Sequence, residues 1–214
     1  MRSQGLRVEI YSDVVCPWCY VGKRRLEQAL IDMKDRPQAQ ITWRPFQLNP
    51  TMPKEGMDRT MYLKAKFGSL DAFREMEERL LAAGAEEHIP FAFEKVTRTP
   101  NTFMAHRLIW YAGRQDHQDA VVESLFRGYF TEGVDIGSMP VLTQLAGRAG
   151  LDVAVVESFL CGAEGTTEVK AEEAVGRQLG IRGVPYFVLN GGASISGAQP
   201  PDIFVSAIQK ARAG

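Results

Sequence analysis

The chain has 214 residues, with 25 basic and 26 acidic side chains and a formal net charge of -1. It is long enough to bury a core without disulfide or metal crosslinks, and the balanced charge makes nucleic acid and anionic membranes poor partners. No stretch is apolar enough for a signal peptide or a membrane span, and three cysteines do not form a secreted disulfide framework. These features predict a cytoplasmic protein.

The first elements are predicted to be a strand, a helix and a second strand. RVEIY at residues 7–11 alternates apolar and polar side chains, as a half-buried strand does. Pro17 suits the first position of a helix, and apolar residues recur at helical spacing from there to about residue 35. Residues 41–46 indicate the second strand, and Pro45 places its later half at an edge or a bend.

Strand signals nearly vanish from about residue 51 to 165. Six segments there have helical periodicity and are separated by Gly, Pro, Asp or Asn: MYLKAKFG, LDAFREMEERLLAAG, TFMAHRLIWYAGRQ, DAVVESLFRGYF, MPVLTQLAGRAG and DVAVVESFL. Such short helices bury their apolar stripes only against each other and against a neighbouring sheet. We therefore predict an all-helical subdomain over 51–165, inserted into a domain formed by 1–50 and 166–214.

The last part of the chain returns to strands and completes an α/β fold. A further helix is followed by PYFVLN and ASIS, and the Asn190-Gly191 pair between these β-prone runs predicts a hairpin. Residues 200–202 then open a last helix. Its predicted apolar face consists of Ile203, Phe204, Ala207 and Ile208.

Cys16 and Cys19 flank two residues at the start of the first predicted helix. The unsatisfied N–H groups of a helix start favour the thiolate of Cys16 at the cap position, and Cys19, one turn later, is placed to attack a mixed disulfide at Cys16. Pro17 and Trp18 bias the geometry and exposure of Cys16, and Trp18 either docks an apolar substrate or supports the loop by packing. The pattern predicts a redox-active Cys16–Cys19 disulfide, with Cys16 as nucleophile and Cys19 as resolving thiol.

Two other interpretations of this cysteine pair are packing and zinc binding. Zinc would need two further ligands, and there is no second CxxC or closely spaced His pair. The remaining candidates are carboxylates and Cys161, His88, His106 and His117. We therefore expect no bound metal and no bound cofactor.

The order of elements, with Gly183-Val184-Pro185 leading into the hairpin, resembles the DsbA-like branch of the thioredoxin superfamily. Four segments resemble more closely the cytoplasmic FrnE-like dithiol-disulfide oxidoreductases: SDVVCPWCYVGKRRLEQAL, PFQLNP, PNTFMAHRLIWYA and GVPYFVLNG. The resemblance spans essentially the whole chain and implies a thioredoxin-like fold with a large all-helical insertion. It also implies a cis Val184–Pro185 bond beside the CxxC, with the Val184 backbone binding a substrate strand.

The resemblance implies a thiol-disulfide oxidoreductase or isomerase acting on protein, peptide or small-molecule disulfides. Glutathione or thioredoxin is the expected reductant, and glutathione is a candidate co-substrate. The direction is open, because pairs on this fold range from strong oxidants to strong reductants. The oligomeric state is open as well, with a homodimer as one candidate.

Two rival functions remain. One is a glutathione-dependent enzyme similar to 2-hydroxychromene-2-carboxylate isomerase or to kappa-class glutathione transferases, in which a serine usually stands at the position of Cys16. Both cysteines of the present chain favour redox chemistry over that activity. The other is a non-catalytic protein that holds unfolded chains, against which the intact thiols argue.

Five further residues are candidates for function. Asp13, three residues before the CxxC, either assists proton transfer or caps its loop. Cys161 ends an apolar helical run and is expected to be buried as a small hydrophobe rather than to act as a third redox thiol. His106 is expected to be a packing residue. Asn49 and Asn101 are substrate-cleft candidates.

Overall fold

The structure is a computed structural model and describes residues 5–35 and 37–213. It divides into two compact units, one formed by the chain up to Leu48 and from Lys170 onward, the other by Asn49–Val169. The domain boundaries at 50/51 and 165/166 stay a prediction. Residues 1–4, 36 and 214, which fall within the predicted catalytic domain, lie outside the described residues.

The strands and helices follow the predicted order. The strands are β1 (Leu6–Ser12), β2 (Ala39–Pro45), β3 (Met57–Asp58), β4 (Arg98–Thr99), β5 (Tyr186–Leu189) and β6 (Ala193–Ser196). The helices are α1 (Pro17–Asp32), α2 (Arg59–Phe67), α3 (Leu70–Glu86), α4 (Phe103–Gly113), α5 (Gln118–Arg127), α6 (Met139–Arg148), α7 (Val153–Cys161), α8 (Thr166–Gln178) and α9 (Pro201–Ala213). Among the residues described, no helix is both long and apolar enough to cross a membrane.

The first unit contains a four-stranded sheet in the order β2-β1-β5-β6. β2 runs parallel to β1, whereas β5 is antiparallel to both β1 and β6. β2 is therefore an edge strand, as predicted from Pro45. At the predicted hairpin, Asn190 and Gly191 have φ angles of 49° and 73°, and the Gly192 N–H donates to the Leu189 carbonyl at 3.1 Å. Two successive positive φ angles are what a tight hairpin turn needs.

Both faces of this sheet are packed. Ile10 and Phe187 are paired across β1 and β5 and therefore share a face, where the Phe187 ring meets Phe204 of α9 edge-on with centroids 4.8 Å apart. α1 packs against α9. On the opposite face Tyr11 lies against Gly176 of α8, where an added Cβ would come within 2.8 Å of the Tyr11 ring. The apolar alternation predicted for β1 is thus confirmed.

Two helix details differ from the expectation. α1 ends at Asp32 rather than near residue 35, because Met33 turns to an extended backbone with ψ of 126° while its N–H still bonds to the Ala29 carbonyl. α9 buries Phe204 and Ile208, but Ile203 is exposed. Positions 204 and 208 lie one turn apart on the same stripe, whereas position 203 is rotated by about 100° from 204.

The second unit contains all six predicted helices of the insertion, α2 to α7. α5 continues into a π-helical turn, Gly128–Glu132, which buries Phe130. The Phe130 ring meets Phe91 and Phe93 edge-on at centroid distances of 5.5 and 6.0 Å. Within this largely helical unit, β3 and β4 form an antiparallel ladder of two residues per strand.

The chain leaves β2 through a segment whose backbone is held from both sides. The Phe46 N–H donates to the Ser12 carbonyl at 3.1 Å. The next residue, Gln47, donates its N–H to the buried Glu173 carboxylate of α8 at 3.0 Å, and its carbonyl accepts from Arg177 at 3.0 Å. Arg177 is also paired with Glu173 at 2.8 Å. These bonds hold the exit of β2 beside the end of β1, where the loop to α1 begins.

Candidate active site

The two cysteines of the CxxC lie at the beginning of α1. Cys16 is the N-cap residue, with φ of -95° and ψ of 110°, and Pro17 is the first helical residue. The Cys16 N–H donates to the Asp13 carbonyl at 2.9 Å, which closes the turn before the helix, and the Cys19 N–H donates to the Cys16 carbonyl at 3.0 Å. The predicted cap position of Cys16 and first helical position of Pro17 are confirmed.

Both thiols are free, and both are buried. Cys16 retains 5% of its surface, whereas Cys19 retains none. Burial, and secondarily interaction with the Cys16 thiol, raises the pKa of the Cys19 thiol well above that of an ordinary cysteine. Cys19 is therefore held as the neutral thiol. Pro17 and Trp18, between the two cysteines, are half-buried.

The loop before β5 supplies a hydrogen-bond acceptor to the first thiol. The Cys16 Sγ donates to the Val184 carbonyl at 3.5 Å, and the Val184–Pro185 peptide bond is cis. The Pro185 carbonyl accepts from the Gly197 N–H at 2.8 Å, which ties this loop to the one after β6. Among residues 5–35 and 37–213, the Val184 N–H has no acceptor. A backbone group of a substrate could therefore pair with it.

Gly22, which the sequence did not single out, allows α1 to approach this loop. A Cβ at position 22 would lie 3.0 Å from the Pro185 ring, 3.1 Å from the Phe187 ring and 3.5 Å from the Ala198 Cβ. Phe187 is fully buried and cannot move away easily. The only signal in the sequence is a glycine inside a predicted helix, where it costs stability unless packing requires it.

Asp13 has a clear structural role beside the CxxC. Its side chain is buried, its carboxylate accepts from the Leu48 N–H at 2.8 Å, and its carbonyl accepts from the Cys16 N–H. The residue therefore joins the loop before α1 to the segment that follows β2. These contacts match the loop-cap interpretation, and proton transfer by Asp13 stays a prediction.

The remaining candidates lie in the second unit. The Asn49 amide donates to the Tyr62 hydroxyl at 3.0 Å, and the Asn101 amide donates to the Met52 carbonyl at 2.6 Å. Both amides thus hold structure within their own unit. His106 is buried in α4, as a packing residue would be.

The prediction that Cys161 is buried is wrong, because this residue is exposed. α7 buries the stripe of Val156, Phe159 and Leu160, and residue 161 lies one position beyond it at the helix end. The Cys161 Sγ is 3.7 Å from the Met139 Sδ. Over the described part of the chain, no group of three or more His, Cys, Asp or Glu side chains could hold a metal ion.

Comparison with known proteins matches residues 7–209 to the DSBA-like thioredoxin domain. YwbO of Bacillus subtilis strain 168, an uncharacterized protein, is 30% identical over 211 residues, which cover 95% of this chain and 96% of YwbO. SCO1869 of Streptomyces coelicolor, a probable DsbA oxidoreductase, superposes with a TM-score of 0.88 at 36% identity, over 96% of this chain and 89% of SCO1869. DsbM of Pseudomonas aeruginosa, a cytosolic disulfide reductase solved with GSH, superposes with a TM-score of 0.62 at 16% identity, over 97% and 96% of the two chains. The likeness to DsbM shows the fold alone.

The raised pKa of Cys19 predicts a fixed order of alkylation in the reduced protein. Iodoacetamide reacts with accessible thiolates, so Cys16, which keeps some exposed surface, should be modified first and Cys19, which is fully buried and has a raised pKa, more slowly. Because the Cys19 pKa is raised, its thiol stays protonated as the pH passes the ordinary cysteine value near 9, and the order should persist from pH 6 to 9. Mass spectrometry of a Cys161→Ser variant would measure both rates. Equal rates in the folded protein would contradict the assignment, and the unfolded protein is the control.

The contacts at Gly22 predict that Gly22→Ala impairs both stability and exchange. Overpacking costs about 1–3 kcal/mol and the better helix propensity returns about 1 kcal/mol, so unfolding free energy should fall by about 1 kcal/mol. Displacement of Pro185 should also slow reaction of Cys16 with a disulfide. Gly192→Ala is the matched control, because nothing lies within 4 Å of a Cβ there. Denaturant unfolding and stopped-flow kinetics measure both effects, and a Gly22→Ala protein as stable and fast as the control would refute the positioning role.

Proposed function

The chain belongs to the DSBA-like thioredoxin domain family, and we propose that it is a FrnE-like thiol-disulfide oxidoreductase or isomerase acting through Cys16 and Cys19. One observation carries the proposal. A thiol at a helix N-terminus lies 3.5 Å from the Val184 carbonyl, one helical turn from a second, fully buried thiol. This arrangement suits a nucleophile and a resolving thiol better than it suits two packing residues.

The proposed reaction has two exchange steps. The Cys16 thiolate attacks one sulfur of a substrate disulfide, forms a mixed disulfide and expels the other substrate sulfur as a thiolate. Cys19 then loses its proton and attacks the Cys16 sulfur, which forms the Cys16–Cys19 disulfide and releases the second substrate thiol. The substrate is reduced by two electrons and the protein is oxidised by two. The same steps in reverse oxidise a dithiol substrate.

The environments of the two sulfurs support this division of roles. The helix N-terminus stabilises negative charge on Cys16, and the first turn of α1 contains no acidic residue that would oppose it. Cys19 has no exposed surface, so a substrate cannot reach it directly. A Cys19 thiol that is neutral at rest attacks only after Cys16 has been engaged, which limits unproductive exchange.

We further propose protein, peptide or small-molecule disulfides as substrates, with glutathione or thioredoxin as the reductant and the cytoplasm as the compartment. DsbM, a cytosolic disulfide reductase solved with GSH, offers a precedent on this fold. The half-buried Pro17 and Trp18 and the unpaired Val184 N–H are the proposed substrate-binding groups.

Exchange by this pair predicts different effects for the two cysteines. In a Cys161→Ser background, Cys16→Ser should lower disulfide exchange to the background rate of the buffer, because the one remaining thiol, Cys19, is inaccessible. Cys19→Ser should still react once and then accumulate a mixed disulfide at Cys16, which mass spectrometry detects. Equilibration of the native pair in glutathione buffers should show one two-electron transition between about -270 and -120 mV, and its value gives the direction. The absence of any transition would sink the redox function and make a glutathione-dependent isomerase or transferase the next activity to assay.

Proton transfer by Asp13 predicts a specific defect in the resolving step. Cys19 must lose a proton whose removal burial makes unfavourable, and a nearby base would contribute about 10²- to 10⁴-fold. Asp13→Asn keeps an oxygen that can accept from the Leu48 N–H, so the fold should survive. Single-turnover kinetics should then show normal attack by Cys16 but resolution at least about tenfold slower. Asp32→Asn, at the far end of α1, is the control. Unchanged resolution in Asp13→Asn would leave Asp13 with its structural role alone.

A further inference from the structure

Three loops of the first unit meet around the reactive sulfur. The loop before α1 carries Cys16, and the loop before β5 carries Val184, whose carbonyl is 3.5 Å from the Cys16 Sγ. The loop between β6 and α9 is joined to the loop before β5 by the hydrogen bond from the Gly197 N–H to the Pro185 carbonyl. The charged side chains of these loops therefore lie close to the Cys16 sulfur, and the half-buried Arg25 of α1 adds a guanidinium that donates to the Ala198 carbonyl of the third loop at 2.8 Å.

These loops present one exposed charge. They comprise residues 13–16, 181–185 and 197–200. Their ionisable side chains, apart from the reactive thiol, are Asp13 and Arg182. Asp13 is buried and its carboxylate already accepts from the Leu48 N–H, whereas Arg182 is exposed. The charge that an approaching substrate encounters on these loops is therefore positive.

The Arg182 guanidinium is available to a ligand. In the described portion of the chain it has no hydrogen-bond acceptor, no carboxylate partner and no aromatic ring against it. Arg182 precedes Val184 by two residues, a backbone span of at most about 7 Å, which the side chain of arginine can itself cover. Gly183 between them is exposed, and nothing lies within 4 Å of a Cβ built there. Apart from its two chain neighbours, no residue therefore crowds Gly183 on the side where a side chain would project.

The N-terminus of α1, which Cys16 caps, adds positive potential at the sulfur itself. Helix N-termini carry partial positive charge on their unsatisfied N–H groups, and the first turn of α1 has no acidic residue to offset it. A carboxylate close to the reacting sulfur of a substrate would thus be attracted by two sources of positive potential. An ammonium group at the same place would be repelled by both.

We propose that Arg182 is a specificity-determining residue that selects disulfides bearing a carboxylate within a few bonds of the reacting sulfur. The inference rests on the proposed function of Cys16. The carboxylate takes no part in the exchange itself; it pairs with the guanidinium while the Cys16 thiolate attacks the substrate sulfur and expels the other sulfur as a thiolate. Glutathione disulfide and peptides with an acidic residue beside the half-cystine belong to this class.

Three small disulfides of matched length test the role of charge. Dithiodipropionate, bis(hydroxyethyl) disulfide and cystamine each place their terminal group two carbons from sulfur and carry carboxylates, hydroxyls or ammoniums. For each disulfide, the second-order rate constant for oxidation of the reduced protein is measured. The rate constant of each variant is then divided by that of the wild type with the same disulfide, which removes the intrinsic reactivity of the disulfide. The neutral disulfide reports on Cys16 chemistry independently of charge.

Arg182→Ala should slow the reaction with dithiodipropionate about fivefold, the factor for one charge pair at about 4 Å in water. The neutral disulfide should react unchanged, and cystamine should react faster. Arg182→Glu should reverse the preference, with changes of about 25-fold in opposite directions for the two charged disulfides. These differences should disappear in about 1 M salt, where the screening length is about 3 Å.

Lys34→Glu is the matched control. Lys34 is exposed beyond the end of α1, and the 16 residues of that helix place it about 24 Å from Cys16. The Lys34→Glu substitution changes the net charge by the same amount as Arg182→Glu. It should leave the relative rate constants for the three disulfides as in the wild type. If Arg182→Glu matched Lys34→Glu, the specificity role would be overturned while Cys16 chemistry stood. If the wild type failed to react even with the neutral disulfide, the proposed function would fail, and the role of Arg182 with it.

Discussion

The close approach of α1 to the loop before β5 is the contact on which the rest of the site depends. It brings the cap residue of a helix, Cys16, to the carbonyl of Val184, although the two are 168 positions apart in the chain. The approach is possible because Gly22 has no side chain to meet Pro185 and Phe187. The sheet fixes this approach, because β1 leads into α1 and pairs directly with β5. The Cys16 sulfur is thus positioned by core packing rather than by a flexible loop.

The same packing gives the two thiols different exposure and different acidity. One turn of helix takes the chain from Cys16, which keeps a small exposed area, to Cys19, which keeps none. Burial then raises the pKa of the second thiol. The loop before them is equally well held, through Asp13 to Leu48 and through the bonds that Glu173 and Arg177 make to the segment after β2. These hydrogen bonds fix the backbone around the two thiols.

Features set by neighbouring residues could be predicted from the sequence, whereas features set by distant partners could not. The N-cap of α1, the hairpin at Asn190 and the helices of the insertion depend on local periodicity and turn chemistry. Gly22 could not be assigned a role, because its partners lie more than 160 residues away. The two-residue ladder of β3 and β4 is too short to produce an alternating pattern. The burial of Cys161 was predicted wrongly, because an apolar run near a helix end does not reveal which of its last residues lies off the buried stripe.

In the proposed mechanism, the direction of exchange depends on a balance at Cys16 that the fold does not determine by itself. The N–H groups at the start of α1 stabilise a thiolate, which favours the reduced protein and hence an oxidant of substrates. The Val184 carbonyl acts oppositely, because it accepts a hydrogen bond from the protonated thiol and has only lone pairs to offer a thiolate. The effects of the α1 N–H groups and of the Val184 carbonyl both fall off over a short distance. A shift of a few tenths of an ångström in the loop before β5 therefore changes the balance between the thiolate and the protonated thiol of Cys16. Proteins that share this fold can therefore run the same two-step exchange in opposite directions without any change in the residues that react.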